Sequence, residues 1–289
     1  KNPSLAGKPT SLPIVTQALT HGLSVCGYLF CDRGDRLIVP DLYWENYDLL
    51  FGNACGCRLN RFTTFVKNRF NLAGLRKKML AGRPGKKILC LNFPNNPSGY
   101  TPTGDEAGNI ASICLEAAEA GHRVVVLVDD SYFGLVFEAG VLQESIFTML
   151  CGLHPNLLAV KIDGPTKEDY VWGFRVGFLT FGVRGGTPEL YEALEAKAGG
   201  AIRGSISNCS NLSQSLLVKA WSSPDYEREK RLKFETLKAR YMKVKAILAA
   251  HPEYREHFEP LPFNSGYFMC IRMKKADPES LRQKLLAEY

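Results

Sequence analysis

Residues 123–132 read Arg123-Val124-Val125-Val126-Leu127-Val128-Asp129-Asp130-Ser131-Tyr132. Val124 through Val128 form an unbroken apolar, mostly β-branched run. Such a run suits a strand buried on both faces, and strands of that kind belong to parallel sheets covered by helices. Two carboxylates follow directly. In an open parallel sheet the loops after the strand C-termini meet along one edge, where ligands bind. Asp129 is therefore expected at a ligand-binding edge rather than in the core.

Working outward, the same alternation recurs. Candidate strands lie at 36–40, 87–93, 157–163 and 175–181, and helical patterns lie near 20–31, 105–120, 140–151, 187–199 and 208–221. Short strands alternating with helices predict an α/β fold, a mostly parallel sheet with helices on both faces. Thr103-Gly104-Asp105-Glu106 fits a capping box and starts one of the helices. From Pro224 the apolar residues Phe234, Leu237, Tyr241, Val244 and Leu248 step by three and four, which makes one stripe on a long helix reaching about Ala250. A strand at 266–273 and a last helix follow. Ser222-Ser223-Pro224 marks the expected boundary between a large domain, 1–222, and part of a smaller α+β domain, 223–289. The polar opening Lys1-Asn2-Pro3-Ser4 and the close in mid-helix at Leu285-Leu286-Ala287-Glu288-Tyr289 lead us to expect a piece of a longer protein.

Composition narrows the function classes. The 45% hydrophobic and 22% charged content is that of an ordinary globular chain of 289 residues. A net charge of +7 is mild, and its lysines are scattered or lie on the long helix, as Lys230, Lys233, Lys238, Lys243 and Lys245 do. That is the pattern of a solvated helix face, not of a nucleic-acid surface. The nine cysteines are odd in number and mostly sit in apolar runs, which suits reduced thiols in the cytoplasm. Cys55-Gly56-Cys57 has no partner ligands nearby, so no metal site is expected. No apolar stretch is long enough for a membrane span. The sequence also lacks a Gly-x-Gly-x-x-Gly or Walker-type phosphate loop and a Gly-x-Ser-x-Gly elbow.

Four segments call for a joint reading. They are Ala18-Leu19-Thr20-His21-Gly22, Leu91-Asn92-Phe93-Pro94-Asn95-Asn96-Pro97-Ser98-Gly99, Val128-Asp129-Asp130-Ser131-Tyr132 and Asp163-Gly164-Pro165-Thr166-Lys167. Arg175-Val176-Gly177 begins eight residues after the lysine. Taken singly, Asn96–Gly99 is a turn, Lys167 a surface lysine and Arg175 an ion-pair partner. Three of the four segments, however, follow expected strands, which brings an Asn, an Asp, a Tyr, a Lys and an Arg to one edge.

This set resembles the cofactor site of the class I/II aminotransferases, the fold-type I enzymes that use pyridoxal 5′-phosphate (PLP). The family's Asn-Pro-(Thr/Ser)-Gly turn matches Asn96–Gly99, its Asp-x-x-Tyr matches Asp129–Tyr132, and its Lys followed by Arg-x-Gly matches Lys167 and Arg175–Gly177. The family's aromatic after a Pro-containing strand end matches Trp44 within Pro40-Asp41-Leu42-Tyr43-Trp44-Glu45-Asn46-Tyr47. The resemblance implies roles. Lys167 would form the Schiff base and shuttle a proton, Asp129 would hold the ring nitrogen protonated, and Tyr132 and Asn96 would bond the ring's 3′ oxygen. Trp44 would stack on the ring. Arg175 and the helix-start amides at Leu19 and Thr20 would take the phosphate.

Departures are visible too. Gly164 stands where many relatives have a serine three residues before the lysine, and Thr166 is the expected substitute. The family's N-terminal segment and the C-terminal region with the arginine for the substrate α-carboxylate are not in these 289 residues. The resemblance implies transamination between an amino acid and a 2-oxo acid by a homodimer, with 201–208 as a candidate contact loop. It leaves open a β-eliminating lyase, cyclopropane-forming chemistry on the same fold, or a non-catalytic PLP-binding module, and it does not name the substrate.

Overall fold

The computed structural model describes residues 1–288. Its central sheet has seven strands in the order β1-β9-β8-β7-β6-β2-β3. They are β1 (Ile14–Thr16), β2 (Arg36–Pro40), β3 (Arg58–Phe62), β6 (Lys86–Asn92), β7 (Arg123–Asp129), β8 (Leu157–Asp163) and β9 (Gly177–Val183). Strands β3, β2, β6, β7 and β8 pair in parallel, while β9 runs antiparallel to both β8 and β1. Two small hairpins complete the strands: β4 (Phe65–Val66) with β5 (Arg69–Phe70), and β10 (Phe258–Pro260) with β11 (Ile271–Met273).

Side-chain alternation explains the two-sided core. Along β7, Val124, Val126 and Val128 join one cluster with Ile110, Ala117 and Phe147, whereas Leu127 faces the other with Leu23, Val160 and Ile202. The first face is covered by α2 (Leu72–Met79), α3 (Gly104–Glu119) and α4 (Phe147–Leu150), the second by α1 (Ala18–Phe30) and α6 (Pro188–Ile206). The expected fold class, a mostly parallel sheet with helices on both faces, is what the chain adopts. The capping box at α3 is present in both directions: Thr103 Oγ1 accepts from Glu106 N, and the Glu106 carboxylate accepts from Thr103 N.

The remaining helices are α5 (Pro165–Glu168), α7 (Asn211–Trp221), α8 (Tyr226–Ala250) and α9 (Pro278–Glu288). Ser222-Ser223-Pro224 falls in the break between α7 and α8. On α8 the stripe is narrower than its periodicity predicts. Phe234, Leu237, Tyr241 and Leu248 pack near Phe137 and Phe263, but Val244 is exposed.

Four sequence expectations need correction. The helix expected at 140–151 shrinks to α4, because Gly140 takes a left-handed φ of +80° and Val141 and Leu142 bond to the 102–103 segment instead. The loop expected at 201–208 is helical to Ile206. Gly199 and Gly200 cost that helix about 1 kcal/mol each, but Ala198 and Ile202 bury against the sheet on either side of them. The strand expected at 266–273 is only Ile271–Met273, since Asn264 and Ser265 donate their amides to the Gly99 carbonyl and are held in a loop. Arg175 does not begin β9. It sits two residues before the strand with φ +53°, turned out of the strand direction.

Candidate active site

Strands β6, β7 and β8 end side by side. Asn92 is in register with Asp129, and Asp129 with Ile162. Their loops carry Asn96, Tyr132, Thr166 and Lys167 to the same edge, and the first turn of α1 arrives from the other side. All nine residues expected from the sequence line one cavity of about 230 Å³: Leu19, Thr20, Trp44, Asn96, Asp129, Tyr132, Thr166, Lys167 and Arg175. Ala18, Asn92 and Ser131 complete its wall.

Asp129 forms the floor and is 1% exposed. Its Oδ1 accepts from the backbone N (3.1 Å) and the hydroxyl of Ser131, and its Oδ2 accepts from the Tyr47 hydroxyl at 2.5 Å. Burial pushes this carboxyl above the usual carboxylate range, while Ser131, Tyr47 and the charge of Lys167 pull the other way. Asn92 ties the neighbouring loops together. Its Nδ2 donates to the Asp129 carbonyl (2.8 Å), and its Oδ1 accepts from Asn96 N (2.7 Å). Asn96 Nδ2 in turn donates to the Tyr132 hydroxyl at 3.3 Å.

Lys167 is the third residue of the four-residue α5, with its Nζ 4.9 Å from the centre of the Tyr132 ring. Burial lowers its proton affinity; Asp129 opposes this and Arg175 adds to it. The Tyr132 phenol is pushed up to about 12 by burial and the nearby Asp129 charge, so it stays protonated at neutral pH. The Tyr267 hydroxyl fixes the turn by donating to the Lys167 carbonyl at 3.2 Å.

The first residues of α1, Ala18, Leu19 and Thr20, line the same cavity as Thr166 and Arg175, and a helix start beside an arginine is a combination that suits an anion. Close backbone approach makes this possible. A Cβ on Gly177 would stand 2.6 Å from the Ala18 carbonyl carbon and 2.9 Å from Leu19 N, so only glycine lets the start of β9 reach the start of α1. Gly164 is equally confined: a Cβ there would meet the Val176 carbonyl at 2.7 Å. No serine fits at that position. Thr166 is 3% exposed, and its Oγ1 is buried without a hydrogen-bond partner.

Three contributors escaped the sequence reading. Asn92 and Ser131 stand beside motif residues, and aligning the polar ends of the apolar strands would have pointed to Asn92. Tyr47 stands just before a short π-helical turn, Asp48–Asn53, in edge contact with Trp44 at 5.9 Å between ring centres. Nothing in its spacing announces that it reaches Asp129.

Comparison with known proteins bears on the family and the fold. The family model for "Aminotransferase class I and II" matches residues 1–289. An aspartate aminotransferase of Geobacillus stearothermophilus is 28% identical over 213 residues, 73% of this chain and 49% of that protein. The chain thus spans about half the length of that curated relative. A solved aminotransferase structure from Anaerococcus prevotii superposes with a TM-score of 0.82 at 21% identity, covering 98% of this chain and 68% of that one. An aromatic-amino-acid aminotransferase from Burkholderia pseudomallei, solved with pyridoxal phosphate covalently bound, superposes at 0.65 with 18% identity, covering 83% and 58%. These likenesses establish the fold, and the family match over the full length establishes descent. The chain belongs to the class I and II aminotransferase family.

Proposed function

We propose that this chain carries the cofactor site of a PLP-dependent aminotransferase, which moves an amino group between an amino acid and a 2-oxo acid. One observation carries the reading. A lysine of lowered proton affinity, a buried carboxylate and an anion cradle line a single cavity, and the cradle holds an unpartnered hydroxyl on Thr166. A buried hydroxyl without a partner costs about 1–3 kcal/mol, which a phosphate oxygen would relieve.

When bound, PLP supplies a ring that accepts the electron pair left at the substrate α-carbon. The protein's part follows from placement. Arg175, Thr20, Thr166 and the α1 amides would hold the phosphate. Lys167 Nζ would anchor the cofactor covalently and afterwards carry the α-proton; its depressed proton affinity leaves more of it as the free amine than of an exposed lysine. Asp129 would keep a proton on the ring nitrogen, Tyr132 and Asn96 would bond the ring oxygen, and Trp44 would pack against the ring.

Partners belong to the same proposal. Between α1 and α6 a groove of about 390 Å³ is lined by Val25, Tyr28, Gly200, Ala201 and Gly204, with Tyr28 74% exposed, and it suits a second copy of the chain. This moves the expected 201–208 contact onto a helix. A cytoplasmic location fits nine cysteines that are all free. Among the described residues no helix is long and apolar enough to cross a membrane.

A half-reaction assay on the full-length protein tests the activity. Aspartate, the amino acid named for several relatives, is the first substrate to try. Release of its 2-oxo acid with conversion of the cofactor to the amine form supports transfer. Release of ammonia with pyruvate from a β-substituted amino acid would identify a lyase instead.

A further inference from the structure

Behind Asp129, away from the cavity, lies Tyr47, 1% exposed and packed edge-on against Trp44 and Phe51. Its hydroxyl is 2.5 Å from Asp129 Oδ2. A phenol packed only for its ring area has no need to aim its proton at a buried carboxylate. We propose that Tyr47 is a positioning residue that sets how strongly Asp129 holds the ring proton of bound PLP, an inference that rests on the function proposed above.

Asp129 is shared between two sets of donors. Ser131 supplies both donors to Oδ1 and Tyr47 the donor to Oδ2, so the charge of the carboxylate is spread over three hydrogen bonds. Each bond stabilises the ionised form and lowers its affinity for a proton. In a site this deeply buried, desolvation works the other way and would drive Asp129 towards its neutral acid. With Tyr47 in place the carboxylate would leave the proton it shares with the ring nitrogen on the nitrogen. Without the hydroxyl the carboxylate would be the stronger base and would draw that proton towards itself, with no other bond made or broken. The ring would then lose positive charge and with it part of its power as an electron sink.

Tyr47 can keep this role across pH. Burial, then the Asp129 charge, raises its phenol well above the ordinary value, so it remains a donor. The other titratable groups facing the pair are Cys26 from α1, Cys90 from β6, Tyr132 from the β7 loop and Lys167 from α5. Burial raises both thiols, which stay neutral, and lowers the proton affinity of Lys167.

The test uses the PLP-loaded full-length protein and Tyr47→Phe, read by the pH at which the visible absorbance band titrates. A positive ring lowers the proton affinity of the lysine–cofactor linkage, so losing that charge raises the midpoint. We expect a rise of about half a pH unit, part of the roughly one to two units by which a charge-assisted hydrogen bond moves its own acceptor. We also expect kcat to fall several-fold with KM nearly unchanged, and Asp129→Asn to abolish any further effect of Tyr47→Phe. An unchanged midpoint and kcat in a PLP-loaded Tyr47→Phe protein overturns the inference. So does a Tyr47→Phe protein that no longer folds, because the hydroxyl would then serve the fold. A wild type with no visible band, or a band that survives Lys167→Ala, removes the PLP reading itself and is recognised without any Tyr47 variant.

Discussion

Lys167 Nζ stands 4.9 Å from the centre of the Tyr132 ring, over its face rather than at its hydroxyl. The amine therefore gains a weak cation–π contact but no hydrogen-bond partner among the described residues, and burial lowers its proton affinity. A larger share of Lys167 is neutral at any given pH than of an exposed lysine. Amine-directed acylation at limiting reagent, followed by peptide mapping, is expected to mark Lys167 at a lower pH than a free lysine side chain in a reference peptide. Labelling of both with the same pH dependence would contradict the assigned environment.

Thr166 separates cofactor binding from stability. Thr166→Val keeps the shape and removes the unpartnered hydroxyl. Without PLP the variant is expected to melt at the same temperature as wild type or slightly higher. Its PLP affinity should fall about tenfold or more, given about 1.5–3 kcal/mol for a hydrogen bond to a charged group. Equal affinities by titration would show that Thr166 does not touch the phosphate.

Gly177→Ala places a methyl group 2.6 Å from the Ala18 carbonyl carbon and 2.9 Å from the Leu19 amide, both backbone atoms that cannot swing aside. Overpacking of this kind costs about 1–3 kcal/mol. Here it also separates the α1 amides from Arg175. The variant should lose both thermal stability and PLP affinity, unlike Thr166→Val, which should lose affinity alone. Calorimetry with and without PLP distinguishes the two patterns.

Asp169, two residues beyond Lys167, accepts from Lys230 Nζ (2.6 Å), the Tyr226 hydroxyl (2.7 Å) and Trp221 Nε1 (2.9 Å), which binds the lysine turn to α7 and α8. Burial alone would raise its carboxyl, but Lys230, Tyr226 and Trp221 outweigh that and hold it below the ordinary value of 3.8. A depressed carboxyl contributes stability that is present above 3.8 and is lost as pH falls through the folded-state value. Asp169→Asn should therefore be less stable than wild type at neutral pH, by about 2 kcal/mol. The difference should shrink in acid. A gap that stays constant down to pH ~2 would contradict the linkage.

Much of this arrangement was legible because apolar runs end in polar groups. Val124–Val128 could only be a buried strand, so Asp129 had to emerge at its edge, and the same logic placed Asn96 and Lys167. What the sequence hid was set by contacts between distant segments. Strand β1 has three residues and is defined by pairing with β9, which leaves no periodicity to read. Arg175 turns on a left-handed φ that no neighbouring glycine signals. Residues 266–270 read as the start of a strand, yet Gly99, with φ +70° and a Cβ position only 1.9 Å from the Phe268 carbonyl oxygen, and the bonds from Asn264 and Ser265 to its carbonyl hold this stretch in a loop. Tyr47 reads as one more aromatic in an aromatic run, and only folding shows its hydroxyl against Asp129.

The central claim is that Lys167 is the residue joined to PLP. Borohydride reduction of the PLP-loaded protein, followed by proteolysis and mass spectrometry, tests it most directly. The account predicts a single phosphopyridoxyl adduct on Lys167, with the visible band lost on reduction and absent from Lys167→Ala. An adduct on another lysine, or a visible band in Lys167→Ala that resists borohydride, would contradict it.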